Sequence, residues 1–265
     1  MKCSELIEKL NILAPQEYQC DWDNLGLQVG SRDKEIHRAL VALDVTNQVV
    51  EQAVAENVDF LLTHHPLIFK PLNRVDEENF IARHVVKMIR AKMCCFVMHT
   101  DFDVAPGCMA DLAAERLGMK AEEPLETTGE VQGVPIGIGK VGTLPAPMTV
   151  EELAHKVRDA FGLPFVTVYD QGLSGDPVTR IAVLPGSGGS MVSRAVSKGA
   201  QALVTGDIRH HDGINAVSCG MAVIDAGHYG LEHIFISFMA DYIRKVSGGG
   251  IEVIEAKSTF PVRVV

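Results

Sequence analysis

The order of apolar runs in the first hundred residues restricts this chain's fold more than any other feature. RALVALDV (Arg38 to Val45) reads as a strand, TNQVVEQAVAEN as an amphipathic helix and VDFLLT (Val58 to Thr63) as a second strand. NFIARHVVKMIRA then repeats the helical spacing, and KMCCFVMH (Lys92 to His99) is a third strand. Strands joined by helical crossovers of a dozen residues pair in parallel, so the pattern predicts an α/β protein with mostly parallel sheets. Upstream, a helix is expected from Ser4 as N-cap to a stop at Pro15. Downstream, Pro106 is expected to open a helix that ends near Gly118.

The second half repeats the alternation. TVEELAHKVRDAFG and MVSRAVSKG read as helices, and FVTVYD, TRIAVLP, QALVTGD, MAVIDAG and IEVIEA as strands. YGLEHIFISFMADYIRKV reads as one long helix between the last two strands. Between the halves, Glu122 to Pro147 is rich in Gly and Pro and is expected to form strands and turns linking them. Residues 1–126 are therefore expected to form one α/β lobe, to which 247–265 return, and 127–246 a second. Arg38 to Thr63 also lies over Arg180 to Thr205 without a gap, at an offset of 142, with Arg38/Arg180, Ala53/Ala195 and Thr63/Thr205 identical. An internal repeat implies two similar sheet-containing units facing each other, a favourable place for a site.

Composition removes several function classes. A net charge of −10 without a basic run disfavours binding to bare nucleic acid. No apolar stretch is long enough to span a bilayer, and MKCSELIEKLNILAP has the charge pattern of an amphipathic helix and not of an export signal. A cytoplasmic protein is the expectation. Six cysteines without a C-x-x-C pair, two of them adjacent in an apolar run, read as buried thiols in a reducing compartment.

The polar residues that interrupt this pattern gather just past strands, where loops at carboxyl ends are free to carry chemistry. His64 and His65 follow VDFLL directly. His99, Asp101 and Asp103 follow the next strand in MHTDFD, with an N-cap role as the plain alternative for Asp103. His228 and Glu232, four apart after MAVIDAG, share one helix face, as a common metal or a simple surface pair requires. Three imidazoles and two carboxylates (His64, His65, Asp103, His228 and Glu232) exceed one open tetrahedral zinc site and suit two divalent ions with a bridging carboxylate. Zinc, iron, manganese, nickel and cobalt all accept such ligands. Metal binding lowers the pKa of water from 15.7 to about 7, which fits metal-assisted hydrolysis. His99, Asp101 and His211 are candidates for supporting or substrate-facing roles, with Asp207 and His210 beside the last. The LPGSGGS turn, with Gly186 to Gly189, reads as a tight strand-to-helix turn or, alternatively, a phosphate cradle.

WDNLGLQVG, ALDVT, LLTHHP, HTDFDVAPG, GKVGTL, GSGGS, VTGDIRHH and IDAGHYGLE, in this order across nearly the whole chain, resemble the Ngg-one-interacting factor three-like family. Bacterial members of that family carry the label GTP cyclohydrolase 1 type 2 homolog. The resemblance implies two α/β lobes with a dinuclear metal site in the cleft, and it maps the ligands onto the same five residues. It also implies a ring-shaped homo-oligomer, commonly a hexamer, and hydrolysis of a small molecule such as a nucleotide or other heterocycle. The alternative is a non-catalytic protein that binds, stores or senses metal and acts through protein partners. Two positions depart from the family pattern: Asp101 stands where Asn is usual, and Leu231 where Thr is usual. Asp101 is expected to add a carboxylate near the site and to shift metal preference.

Overall fold

A computed structural model describes residues 1–173, 175, 177–257 and 260–265. In chain order, α1 (Cys3–Leu13), β1 (Gly26–Val29), β2 (Arg38–Ala42), α2 (Asn47–Ala55), β3 (Phe60–Thr63), α3 (Phe80–Arg90) and β4 (Cys94–Val97) lead into α4 (Thr100–Val104) and α5 (Met109–Arg116). Then come β5 (Lys120–Val131), β6 (Val134–Met148), α6 (Val150–Ala160), β7 (Thr167–Tyr169), β8 (Val178–Ser187), α7 (Val192–Ser197) and β9 (Ala202–Gly206). The chain ends with α8 (His210–Ser218), β10 (Ala222–Asp225), α9 (His228–Glu232), α10 (Ile234–Ser247) and β11 (Glu252–Glu255). Its contacts group it into two units, Met1–Phe102 with Phe235–Thr259, and Asp103–Ile234 with Phe260–Val265. That division falls ahead of the residue-126 boundary set by composition.

The first unit holds a five-stranded sheet in the order β1-β4-β3-β2-β11. All its pairings are parallel except β1 with β4. β3 and β4 are buried at every position, as strands covered on both faces must be. Leu40, Leu61 and Cys95 meet Val50 and Ala53 of α2 and Val85 and Met88 of α3 in one core.

The second unit holds a six-stranded sheet, β5-β6-β8-β9-β10-β7. Only β8, β9 and β10 run parallel; β5, β6 and β7 make antiparallel pairs. The expectation of mostly parallel sheets thus holds for the first unit, and the second is mixed. The reason is the Gly- and Pro-rich stretch read as a link, most of which is a long β5/β6 hairpin in this sheet. Gln132 and Gly133 both have positive φ (52° and 81°) at its tip, the backbone of a two-residue turn whose twist matches the strands. Leu125 and Val141 of the hairpin join Ala182, Leu203 and Val223 in the second core.

The repeat seen in the sequence is present in hydrogen-bonding detail. β2 pairs with β3 through Ala39/Phe60, Leu40/Leu61 and Val41/Leu62, and β8 with β9 through Ile181/Ala202, Ala182/Leu203 and Val183/Val204. Each pair is displaced by the same 142 residues. Asp59 accepts the backbone N–H groups of His37 and Arg38 at 2.9 and 3.1 Å, and Gln201 those of Thr179 and Arg180 at 2.8 and 3.0 Å. Arg38 donates to the Glu56 carbonyl as Arg180 donates to that of Lys198. A bare apolar match would not reproduce these polar contacts.

Three local readings are corrected. α1 is capped by Lys2, whose backbone N–H is accepted by Glu5, so Ser4 lies inside the first turn. Pro106 does not begin a helix: α4 precedes it, and Cys108 is the N-cap of α5. The long final helix is interrupted at His233 into α9 and α10. All six cysteines are free, and Cys94 and Cys95 are fully buried. Among the described residues no helix is long and apolar enough to cross a membrane.

Candidate metal centre

In the first unit, the carboxyl ends of β2, β3 and β4 carry Asp44, the His64–His65 pair and His99. A parallel sheet brings these ends side by side, and the three imidazoles follow: their ligand nitrogens lie within 4.8 Å of one another. His64 is fully buried, its ring 5.2 Å from that of Phe235 and 6.3 Å from that of Phe102. Its Nδ1 lies 2.8 Å from the Met98 carbonyl, which only accepts; Nδ1 therefore carries the proton and Nε2 is the basic nitrogen. His65 Nδ1 donates to Asp44 at 2.7 Å and His99 Nδ1 to Asp23 at 2.8 Å, giving the same tautomer.

Asp23 is itself held by the backbone N–H and the hydroxyl of Thr100. Burial pushes this carboxyl up, but its bonds from His99 and Thr100 outweigh that and hold it at about 2. Asp101, next in α4, is fully buried. Burial, with the nearby charge of Asp23, pushes it up to about 8 against its backbone hydrogen bond from Phe102.

The second unit carries Asp103, His228 and Glu232. Asp103 is half-buried within α4, which rules out the N-cap reading. His228 opens α9 directly past β10, and its Nε2 lies 3.1 Å from Glu232 Oε2 one helical turn on. Glu232 is 3% exposed, and its carboxylate comes within 4.8 Å of that of Asp103. A cation between buried Glu232 and half-buried Asp103 would offset the repulsion of their charges. His228 Nδ1 donates to Asp207 at 2.8 Å, so this fourth histidine turns its Nε2 toward Glu232.

The glycine turn serves this arrangement. Gly186 has φ +91°, and a Cβ there would stand 2.9 Å from Glu232 Oε1 and 3.8 Å from His228 Nε2. A Cβ at Gly188 would stand 2.2 Å from the Thr205 hydroxyl, and one at Gly189 2.5 Å from Asp212. Close packing explains the glycines, as a tight turn requires. His210 and His211 open α8 exposed, rings 5.2 Å apart, and belong to neither cluster. Asp44 and Asp23 were missed in the sequence; Asp44 lies in ALDV just past β2, and the same strand-end rule that found His64 applies to it.

The donor set fits a metal. A carboxylate or carbonyl that takes the Nδ1 proton fixes the ring, fixes the tautomer and raises the basicity of Nε2, the arrangement seen around metal-ligating histidines. Imidazole nitrogens with carboxylate oxygens suit divalent transition ions.

Comparisons with known proteins agree on one family and one fold for the chain. The family model for Duf34/NIF3 (NGG1p interacting factor 3) matches residues 1–261. The GTP cyclohydrolase 1 type 2 homolog of Lactococcus lactis is 35% identical over 251 residues, 94% of each chain. That of Streptococcus pneumoniae is 30% identical, over 98% of this chain and 97% of its own. Among solved structures, a Bacillus cereus protein related to NIF3 superposes with a TM-score of 0.92 at 22% identity, covering 100% and 99% of the two chains. Reduced HcgD from Methanocaldococcus jannaschii gives 0.83 at 29% identity, covering 96% and 97%.

Proposed function

The chain belongs to the Duf34/NIF3 family, and from that premise we propose that it binds two divalent metal ions through His64, His65, Asp103, His228 and Glu232 and hydrolyses a small molecule. One observation carries the reading: each proposed imidazole ligand gives its Nδ1 to an acceptor (Met98 carbonyl, Asp44, Asp207) and presents Nε2. Isolated surface histidines have no reason to share that orientation. His99, anchored the same way by Asp23, is a further ligand or a proton carrier beside the others.

A divalent ion bound there supplies Lewis acidity and makes water acidic enough to ionise near neutral pH. The chain's own residues do the rest. Asp44 and Asp207 hold their imidazoles in the ligating tautomer, and buried Glu232 with Asp103 supplies the negative charge. Relatives named GTP cyclohydrolase 1 type 2 homolog direct attention to ring opening of a heterocycle. We take from them the reaction class, addition of water to a ring carbon between nitrogens. Assembly into a ring-shaped homo-oligomer, a hexamer by family likeness, is part of the same proposal.

Elemental analysis of protein purified without oxygen or chelator tests it, with two ions per chain expected in the wild type and a loss in H65A and in H228A. A screen of metabolite pools with the measured metal then tests hydrolysis. Tight metal binding with no turnover would leave the storage or sensing alternative; no bound metal would end both. Mass measurement in solution tests the ring.

A further inference from the structure

The second unit contains a cavity of about 260 Å³ lined by His228 and, for the rest, by residues outside the proposed ligand set. Leu163, Phe165, Tyr229 and Phe260 supply apolar walls, and Asp207 and Asp225 are the acids that line it. Tyr229 stacks on His233 at 5.9 Å and 12° and meets Phe260 edge-on at 5.4 Å, so this wall is a braced aromatic surface. The two acids differ. Both Asp225 oxygens are committed to backbone, one to the N–H of Ile208 and one to that of Gly227. Asp207 gives one oxygen to His228 Nδ1 and is 55% exposed.

Asp207 also sits at φ +54°, a left-handed backbone that Asp reaches more readily than most side chains. In the internal repeat, Asp207 falls at the position of His65, so the second unit puts an acid where the first puts an imidazole.

We propose that this cavity binds a flat, one- or two-ring heterocycle bearing an amidine-type pair of N–H donors, with the donors on Asp207 and the ring against Phe165 and Tyr229. The volume lies just below the range of about 300 to 1,000 Å³ typical of ligand pockets, so it accepts a ring and not a whole nucleotide. Apolar walls with one aimed polar group are what such a ring needs. A carboxylate has about four lone-pair sites, so Asp207 serves His228 and two ligand N–H groups together. A positively charged ring gains further from the aromatic faces. The inference rests on the metal reading only in setting the ring beside His228.

The test uses 2-aminobenzimidazole as probe and the full-length chain stripped of metal with a chelator, followed by calorimetry and ligand-observed NMR. Saturable one-to-one binding is expected, at least tenfold weaker in D207N and in F165A, and at least tenfold weaker for 2-methylbenzimidazole, which lacks the amino donor. E77A, at an exposed position of the first unit, is expected to bind the probe like the wild type. Thermal melts of each variant show that it is folded. Absence of wild-type binding, or equal binding by D207N or of the methyl analogue, overturns the proposal. Metal content is measured separately on the same proteins before stripping, so failure of the cavity and failure of the metal site give different results.

Discussion

Substituting Gly186 by Ala tests whether the glycine turn is shaped around Glu232. Two penalties add. A residue with a Cβ at φ +91° costs about 1–2 kcal/mol in backbone strain. The new Cβ also stands 2.9 Å from Glu232 Oε1, and Glu232, 3% exposed and beside His228, has little room to yield. Driving that side chain off its rotamer costs about 0.5–1.5 kcal/mol more. The sum of about 1.5–3.5 kcal/mol corresponds to a fall in melting temperature of roughly 3–14 °C for a chain of this size. Gly107 is the control, because its φ is +76° and a Cβ there meets nothing within 4 Å. G107A should lose only the strain part. Unfolding of metal-free protein in urea measures both, and in the double variant G186A/E232A the contact part, about 1 kcal/mol, should disappear. Equal losses in G186A and G107A, or no coupling to position 232, would refute the reasoning.

Other perturbations address the rest of the molecule. D44N leaves His65 without its charged anchor and is expected to weaken metal binding about 10- to 100-fold, read by competition with a chromophoric chelator; unchanged affinity sinks that role. Stripping metal should lower the melting temperature, since a ligand at 100 times its dissociation constant stabilises by about 2.7 kcal/mol; coincident melts would mean no ion is held by the folded state. For Asp59, burial raises the carboxyl, but Lys34 at 2.9 Å and the two backbone N–H groups outweigh it and hold it below 3.8. The stability from that depressed value is present above pH 3.8 and lost as pH falls below it. D59N should therefore be less stable than wild type at pH 7, and the gap should close in acid; a gap independent of pH contradicts the account.

What the residues disclosed in advance followed from strand ends. In a parallel sheet a polar residue just past an apolar run has one place to go, so His64, His65, His99 and His228 were legible without coordinates. The helical spacing of His228 and Glu232 was equally direct, since four residues make one turn. The anchors were harder. Asp23 is 76 positions from His99 in an irregular stretch, and no periodicity announces that contact. Asp207 was seen only as a companion of the His210–His211 pair, because its bond to His228 spans two elements. The β5/β6 hairpin looked like a link because exposed strands at a sheet edge have weak apolar alternation and many turn formers. The interruption at His233 was hidden because the apolar spacing continues through it.

The first sheet is completed by β11, which pairs with β2 only after the whole span 103–234 has been laid down in between. On the ribosome, β2 therefore waits with an open edge while the inserted unit is translated. A waiting edge is a template for the wrong strand of another nascent chain. Cells producing a version truncated before residue 252 should accumulate it in aggregates or bound to chaperones.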